Sequence, residues 1–301
     1  FGRQQEEAAE ESVPNTLQFW RTQSVLLDKG ERQIDIFMQY AIADGLILQP
    51  QLIAQPPGPD VGVVSTIKAR QRLVTIPVEF RYGVTNNVQA FCNIPFGWSN
   101  AELAIPGLLD EWSNRGGIGD VNCGLSILLH QGCNGGPDIV STTSFTAPTG
   151  DADFFITGGI TPSARLGEGF WAISTQMLFI HTLDPCAIFY SVGYRHRFDA
   201  TFQPILAGNP EVRADPGEQI FYQLGIGFAA SERITLSTSF IGAYVTEDHV
   251  NGLRVQGGIT EPMRLRFSAT IAQECKIVEP FAEIGMTRDA AAALIGITWT
   301  Y

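Results

Sequence analysis

The sequence predicts an all-β protein, an antiparallel transmembrane β-barrel of about 12 strands with long external loops and short periplasmic turns. Three observations predict this fold class. Apolar and polar residues alternate with a period of two in many segments along the chain. No run of about 20 apolar residues, the length that a membrane helix needs, occurs in the 301 residues. The connections between the alternating segments are long and short in turn.

Each alternating segment has one apolar face and one more polar face. In the first segment, Ile34, Ile36 and Met38 alternate with Asp35 and Phe37. Because lipid surrounds a membrane barrel, we expect the apolar face to point outward and the polar face to line the interior. The predicted strands lie at residues 32–42, 66–83, 88–96, 121–127, 138–148, 168–181, 188–195, 219–228, 233–246, 263–271, 276–287 and 295–301.

The order of the connections favours a membrane barrel over a soluble β-sandwich or a lipocalin-like barrel. The long connections are 44–65, 101–116, 149–167, 199–216 and 247–258, and the short ones are 85–87, 131–138, 183–185, 231–233 and 274–276. Outer-membrane barrels have long external loops and short periplasmic turns, whereas a soluble sandwich has no reason to place every long loop at one end. Aromatic residues near strand ends suit the two membrane interfaces, namely Tyr82, Trp98, Trp171, Tyr190, Trp299 and Tyr301.

Composition and charge limit the location and the partners. Charged residues make up 17% of the chain, below the ~25% typical of soluble domains. The net charge of −12 argues against nucleic acid as a partner, because phosphate binding needs clustered Lys and Arg. We expect a location in the outer membrane of a Gram-negative-type cell envelope, after removal of a signal peptide ahead of Phe1. The expected partners are outer-membrane lipid, lipopolysaccharide and further copies of the chain.

The chain divides into two predicted regions. Residues 1–30 form an N-terminal extension in the periplasm, and residues 31–301 form the outer-membrane barrel. The extension begins with a cluster of acidic residues and carries Phe19 and Trp20, which need a surface to cover them. We expect it either to plug the barrel from below or to contact a neighbouring protomer.

Short motifs spread over residues 22–301 resemble those of a known family. They are Arg81–Thr85 (RYGVT), Gly117–Asp120 (GIGD), Pro148–Asp151 (PTGD) and the later pair Gly193-Tyr194. Their order and spacing resemble the porin- and transporter-like outer-membrane family labelled "putative MetA-pathway of phenol degradation". The resemblance implies a barrel of about twelve strands. It does not imply phenol chemistry, because the label describes genetic context.

Eight charged residues fall on the predicted inner face: Asp35, Glu79, Arg81, Arg195, Arg264, Arg266, Glu279 and Glu283. Charged side chains inside a barrel either line a water path that filters solutes by charge or form a closed, salt-bridged plug. About twelve strands lie between the narrow barrels that side chains fill and the wide porins, so the sequence leaves both alternatives open. The positions of Arg264 and Arg266 relative to Glu279, across the 274–276 turn, suggest cross-strand ion pairs.

The cysteines and histidines give weaker signals. Cys92 and Cys123 lie on neighbouring predicted strands with the same outward parity. They are either a disulfide, which the periplasm permits, or two small apolar residues that face lipid. None of the four histidines has metal-ligand spacing to another His or Cys, so we expect no metal and no cofactor. His196 with Asp199 is the one pairing considered for catalysis, and a charged loop base explains it better.

Two functions are compatible with these features, and neither is enzymatic. The first is a channel or transporter for small solutes, including hydrophobic or aromatic ones as the family label suggests. The second is a structural envelope protein whose barrels assemble side by side into a homo-oligomeric surface array. The N-terminal extension motivates the second function.

Overall fold

The computed structural model describes residues 26–53, 61–104, 111–132, 136–150, 166–202, 212–254 and 259–301. Within these ranges all regular structure is β-strand. The strands are β1 (Arg32–Ile53), β2 (Val61–Thr85), β3 (Val88–Ala104), β4 (Glu111–Ile118), β5 (Val121–His130), β6 (Asp138–Ala147), β7 (Ala172–Leu183), β8 (Cys186–Arg197), β9 (Ala200–Phe202), β10 (Val212–Asp215), β11 (Gln219–Ser231), β12 (Ile234–Val245), β13 (His249–Val250), β14 (Leu253–Arg254), β15 (Met263–Ala272), β16 (Ile277–Gly285) and β17 (Ala293–Thr300). None of the described residues belongs to a helix long and apolar enough to cross a membrane.

The strands close into an antiparallel barrel with twelve wall positions. The last strand pairs with the first, from Asp35 opposite Thr300 to Ile42 opposite Ala293. β4 and β5 share the fourth position, because both pair with β3. β9, β10, β13 and β14 form a separate small sheet. The predicted fold class is therefore confirmed, and the sequence-based strands coincide with barrel strands.

The two faces of the wall differ as the alternation predicts. On the outer face, Met38 is 48% exposed and Leu224 is 57% exposed, whereas inward-pointing Asp35 is 1% exposed and Thr300 is 7% exposed. A lipid-facing surface must be apolar, since the hydrocarbon offers polar groups no hydrogen-bond partners. Within the lipid-covered part of the wall, charged side chains therefore belong on the inner face, where they can pair with one another.

Four predicted long loops contain strands, and the prediction is wrong for most of the length of two of them, 44–65 and 101–116. β1 and β2 continue as a paired hairpin to Ile53 opposite Val61. β3 and β4 pair across the predicted loop 101–116 as far as Leu103 opposite Glu111. The predicted loops 199–216 and 247–258 contribute strands of the small sheet. The physical reason is that backbone pairing can continue beyond the lipid. There neither face of the hairpin meets lipid, so the sequence need not alternate between apolar and polar residues.

The residues that precede β1 are bound at the short-turn end of the barrel. The N–H of Gly30 donates to the Gly83 carbonyl at 2.8 Å, and the N–H of Gly83 donates to the Glu31 carbonyl at 3.0 Å. The N–H of Leu27 donates to Oε1 of the inward residue Gln89 at 3.0 Å. A Cβ at Gly83 would strike the backbone of Asp28, so this segment crosses the inner side of the wall. Residues 1–25 of the predicted extension lie outside the described residues.

Candidate functional site

One inner-face network of charges lies on β1, β2 and β3. The guanidinium Nε of Arg81 lies 2.6 Å from Glu79 Oε1 and 3.1 Å from Asp35 Oδ2. The Asp35 carboxylate also accepts the hydroxyl of Thr300 at 2.6 Å. Glu79 accepts the side-chain amide of Asn93 at 3.3 Å. Hydrogen bonds of this kind satisfy a charge that has been removed from water.

A second network lies on β15 and β16. Arg264 Nη1 lies 2.9 Å from Glu283, and Arg266 bridges Glu279 at 3.1 Å and Glu283 at 3.5 Å. Between its two carboxylates, the Arg266 guanidinium lies 4.0 Å from the centroid of the Phe281 ring. The predicted pairing with Glu279 across the turn is present for Arg266 and wrong for Arg264, which pairs with Glu283. The two networks are separated by β17, and together they make one side of the interior ionic.

The opposite side of the interior is lined mainly by hydroxyl and amide groups. Ser144 contacts Ser174 at 2.7 Å and accepts the Asn122 amide at 3.1 Å. Ser126 and Thr142 contact each other at 2.9 Å. Ser144 with Ser174 and Ser126 with Thr142 lie directly opposite each other on adjacent strands, whereas Asn122 and Ser144 are diagonal neighbours. Because these short side chains form hydrogen bonds with neighbours in the wall, they do not project into the centre of the barrel.

Four inward phenylalanine rings lean across the wall onto glycines of the adjacent strand. The pairs lie in direct register and are Phe91 with Gly124, Phe189 with Gly225, Phe221 with Gly193 and Phe281 with Gly296. A Cβ on any of these glycines would come closer than 3.0 Å to the ring. The glycines therefore let aromatic surface line the interior without projecting far into it.

A cavity of about 560 Å³ lies inside the barrel towards the long-loop end. Its apolar lining comes from Pro95, Leu166 and Phe221, and its polar lining from Asp120, Asn122, Thr146, Gly167, Glu168, Ser174, Arg195 and Gln219. This volume falls in the range of small-molecule sites, which combine apolar walls with a few polar groups.

The segment Leu166–Glu168 returns into the barrel at this cavity and is bound to the wall by Asp120. The carboxylate of Asp120 accepts the N–H of Glu168 at 2.6 Å and the N–H of Gly150 at 3.0 Å. Thr149 donates its hydroxyl to the Gly119 carbonyl at 2.9 Å. The motifs GIGD and PTGD are thus joined to each other by side-chain to backbone hydrogen bonds.

Leu166 fills a space that two glycines keep free. A Cβ at Gly97 would lie 2.9 Å from Leu166 Cδ2, and one at Gly117 would lie 3.7 Å from Cδ1. Glu168 contacts β8, where its Oε1 accepts Nη1 of Arg195 at 3.0 Å. Its Oε2 lies 3.9 Å from Arg197 Nη1. The segment therefore contacts β3 and β4 through Leu166 and β8 through Glu168.

The structure places all eight predicted inner-face residues on the inner face, but it does not bring them together at one site. Seven belong to the two networks, and Arg195 lies at the cavity with Glu168. Sequence reasoning missed Asp120, Leu166 and Glu168. The family motifs were the available signal, but spacing along the chain does not show that Asp120 and Glu168 meet.

Other predicted residues fall as follows. Cys92 and Cys123 lie in register with Cα atoms 4.1 Å apart and form a disulfide, while Cys186 and Cys275 are free thiols. Five of the predicted interface aromatics are exposed on the outer face and Trp299 is half-buried. His196 does not pair with Asp199. Its Nδ1 contacts Glu218 at 2.7 Å, and Asp199 pairs with Arg213.

A closed antiparallel barrel with an apolar outer face and a polar interior is an outer-membrane β-barrel. The chain belongs to the family described as "Putative MetA-pathway of phenol degradation", which matches residues 59–268. The resemblance of the motifs is thereby confirmed.

Solved structures share this fold. An outer membrane channel from Pseudomonas putida F1 superposes with a TM-score of 0.66 at 14% identity, over 91% of this chain and 96% of that one. The translocator domain of autotransporter NalP from Neisseria meningitidis gives a TM-score of 0.52 at 9% identity, over 97% of this chain and 99% of that one. At such identities the likeness is one of fold.

Proposed function

We propose that the protein is an outer-membrane channel for small solutes, including hydrophobic and aromatic ones. The observation that carries this proposal is the cavity of about 560 Å³ inside a closed barrel. The Phe221 ring, Leu166 and Pro95 offer an apolar solute contact area, while hydroxyl and amide groups keep the remaining lining wettable. The similar barrel from Pseudomonas putida F1, described as an outer membrane channel, supports transport.

The aromatic preference rests on the phenylalanines of the interior and on the description of the family. Aromatic solutes stack on aromatic rings, in offset or edge-to-face arrangements that contribute about 0.5–1.5 kcal/mol per pair. Each ring that covers a glycine lies close to the wall and adds aromatic surface to the interior. The phenol-degradation label agrees with a solute of this class.

The remaining features of the proposal follow from the barrel. Its short-turn end faces the periplasm after a signal peptide has been removed, and its outer face contacts lipid and lipopolysaccharide of a Gram-negative-type envelope. The N-terminal segment 1–30 is proposed to be periplasmic, a proposal that the hydrogen bonds of residues 27–31 at the short-turn end support. Transport rather than catalysis is the function. Assembly of barrels into a homo-oligomeric array is the second candidate, and the channel-like cavity favours the first.

Solute uptake by proteoliposomes tests the channel function. We expect vesicles that contain the protein to admit phenol-sized solutes and to show discrete conductance steps in planar bilayers. Ser174→Trp, at a position that lines the cavity, should reduce both. The matched control is Thr175→Trp, which places the same bulk on the outward side of the same strand. Equal uptake by empty vesicles and by vesicles with the wild-type protein would contradict the proposal.

A further inference from the structure

We propose that Leu166–Glu168 is the constriction of the pore at its long-loop end, that Asp120 anchors it, and that Glu168 sets its charge preference. This inference rests on the proposed channel function and assigns residues to its selectivity. The constriction has two properties that can be tested separately, its position and its charge. The position of the segment depends on Asp120, and the charge that a passing ion meets depends on the contact between Glu168 and Arg195.

The anchoring role of Asp120 follows from where it lies in the wall. Gly119 and Asp120 interrupt the fourth wall position, between the end of β4 and the start of β5. The wall still holds together there, because the N–H of Gly119 donates to the Pro95 carbonyl at 2.7 Å. The interruption frees the Asp120 side chain to accept backbone N–H groups from Gly150 and Glu168. An ionised carboxylate that accepts two backbone N–H groups makes strong, charge-assisted bonds.

The wall is shaped to receive the segment. Gly97 and Gly117 stand opposite each other on β3 and β4, and both leave room for the Leu166 side chain. The Gly119 position is closer still, since a Cβ there would lie 2.7 Å from the Leu166 carbonyl oxygen, whereas a Cβ at Gly117 would make an ordinary van der Waals contact. A side chain at Gly97 or Gly119 would push the segment towards the centre of the barrel. The lack of a side chain at these two positions therefore sets how far the constriction projects.

The charge of the constriction depends on Glu168. Its Oε1 accepts Arg195 Nη1 at 3.0 Å, while Oε2 has no hydrogen-bond partner among the described residues. The second arginine on this side, Arg197, donates Nη2 to the Gly217 carbonyl at 2.8 Å. Arg197 also lies 3.9 Å from Asp248, and Asp120 is a second carboxylate at the cavity, so Glu168 is the carboxylate that offsets Arg195. Loss of the Glu168 charge makes the constriction more positive by one charge, which shifts its preference towards anions.

The anchoring is tested by conductance of Asp120→Ala in planar bilayers. Because the narrowest section limits the current, release of the segment should raise single-channel conductance about twofold or more. Asp289→Ala is the matched control, since the Asp289 carboxylate also accepts a backbone N–H, from Glu261, at the same end of the barrel. Asp120→Asn, which keeps one acceptor oxygen, should be intermediate. Equal conductance of D120A and D289A overturns the anchoring role.

The charge role is tested by the reversal potential of Glu168→Gln in a salt gradient. The variant keeps the backbone N–H that Asp120 accepts, so its conductance should stay close to that of the wild type. The permeability ratio of chloride over potassium should rise about twofold or more, because one fixed negative charge is lost beside Arg195. An unchanged reversal potential overturns the charge role.

A readout that does not need ion conduction separates this inference from the channel function. Leu166→Cys is introduced into protein whose Cys133, Cys186 and Cys275 are replaced by Ser, and its labelling by a membrane-impermeant maleimide is timed. Labelling should be faster when Asp120→Ala is added and unchanged when Asp289→Ala is added. If the wild type conducts nothing while this difference persists, the channel function fails and the anchoring stands. If the wild type conducts and the labelling rates are equal, the anchoring fails.

Discussion

The guanidinium of Arg266 lies 4.0 Å from the centroid of the Phe281 ring, which in turn covers Gly296 on the next strand. Three adjacent strands thus contribute one layer each to a stack on the inner wall. The cation gains from the ring face, and it remains bonded to Glu279 and Glu283. The position of an ion-pair network therefore depends on a residue that has no side chain.

Gly296→Ala is expected to destabilise the barrel by about 1–3 kcal/mol, because the new Cβ overlaps the Phe281 ring and also approaches the Met38 carbonyl oxygen. The measurement is the fraction of folded protein at increasing urea concentrations, read from the different gel mobilities of folded and unfolded barrels in unheated samples. The matched control is Gly227→Ala on β11, where the nearest atom to the new Cβ is Thr235 Cγ2 at 3.6 Å. Equal midpoints for the two variants would contradict the stacking argument.

Arg81→Ala is expected to cost about 3 kcal/mol or more, because it leaves the carboxylates of Asp35 and Glu79 close together without their cation. Asp35 is 1% exposed, so water cannot replace the lost partner. The measurement is the free energy of unfolding in urea at neutral pH.

Arg70→Ala provides the comparison for Arg81. Arg70 lies on the outward side, 4.0 Å from Glu102, and about half of its side chain is exposed. An exposed pair of this kind contributes below about 1 kcal/mol. A larger loss for R70A than for R81A would show that the inner network does not stabilise the barrel.

The Cys92–Cys123 bridge is expected in protein isolated from an oxidising compartment. Peptide mapping without reductant should recover the two cysteine peptides joined, and reductant should separate them. Because the bridge closes a loop between residues 31 positions apart, its reduction should cost up to about 4 kcal/mol of unfolding free energy. Cys186→Ser, at a free thiol, is the control and should leave the map unchanged. Recovery of only unlinked peptides would mean that the two thiols stay reduced.

The outer-face tryptophans are expected to lie at the membrane interfaces. Trp98 and Trp171 occupy the long-loop end, and Trp299 lies near the short-turn end of β17. In variants that keep one of these tryptophans, lipids brominated near the headgroup should quench fluorescence more than lipids brominated near the chain end. A reversed order for Trp98 would place it at mid-membrane and shift the assigned boundaries of the span.

The wall of the barrel could be predicted because lipid imposes a periodic pattern. The segment 219–228 alternates at every position except Phe221, and β11 includes the whole segment. The extended hairpin was missed for the opposite reason: the stretch 43–53 (ADGLILQPQLI) does not alternate, although it pairs with β2 as far as Ile53. Beyond the lipid, backbone pairing alone maintains a strand, and backbone pairing leaves no periodic trace in the sequence.

The site was predictable in part. Inner-face parity identifies Arg81, Arg266 and Glu283, because a two-residue period fixes the face of each wall residue. The contact between Asp120 and Glu168 joins residues 48 positions apart, and Glu168 lies outside the strands. No strand period relates two such positions, so motifs that resemble a family marked the place without showing the contact.

The pairing of each inner phenylalanine with a glycine on the next strand also constrains how this protein can change over generations. Replacing the glycine alone obstructs the ring, and replacing the ring alone uncovers a bare patch of backbone. We therefore expect the bore of related barrels to widen or narrow through joint substitution at two positions that are distant in the gene and adjacent in the wall. Pairs such as Phe189 with Gly225 should then covary more strongly than either residue covaries with its neighbours along the chain.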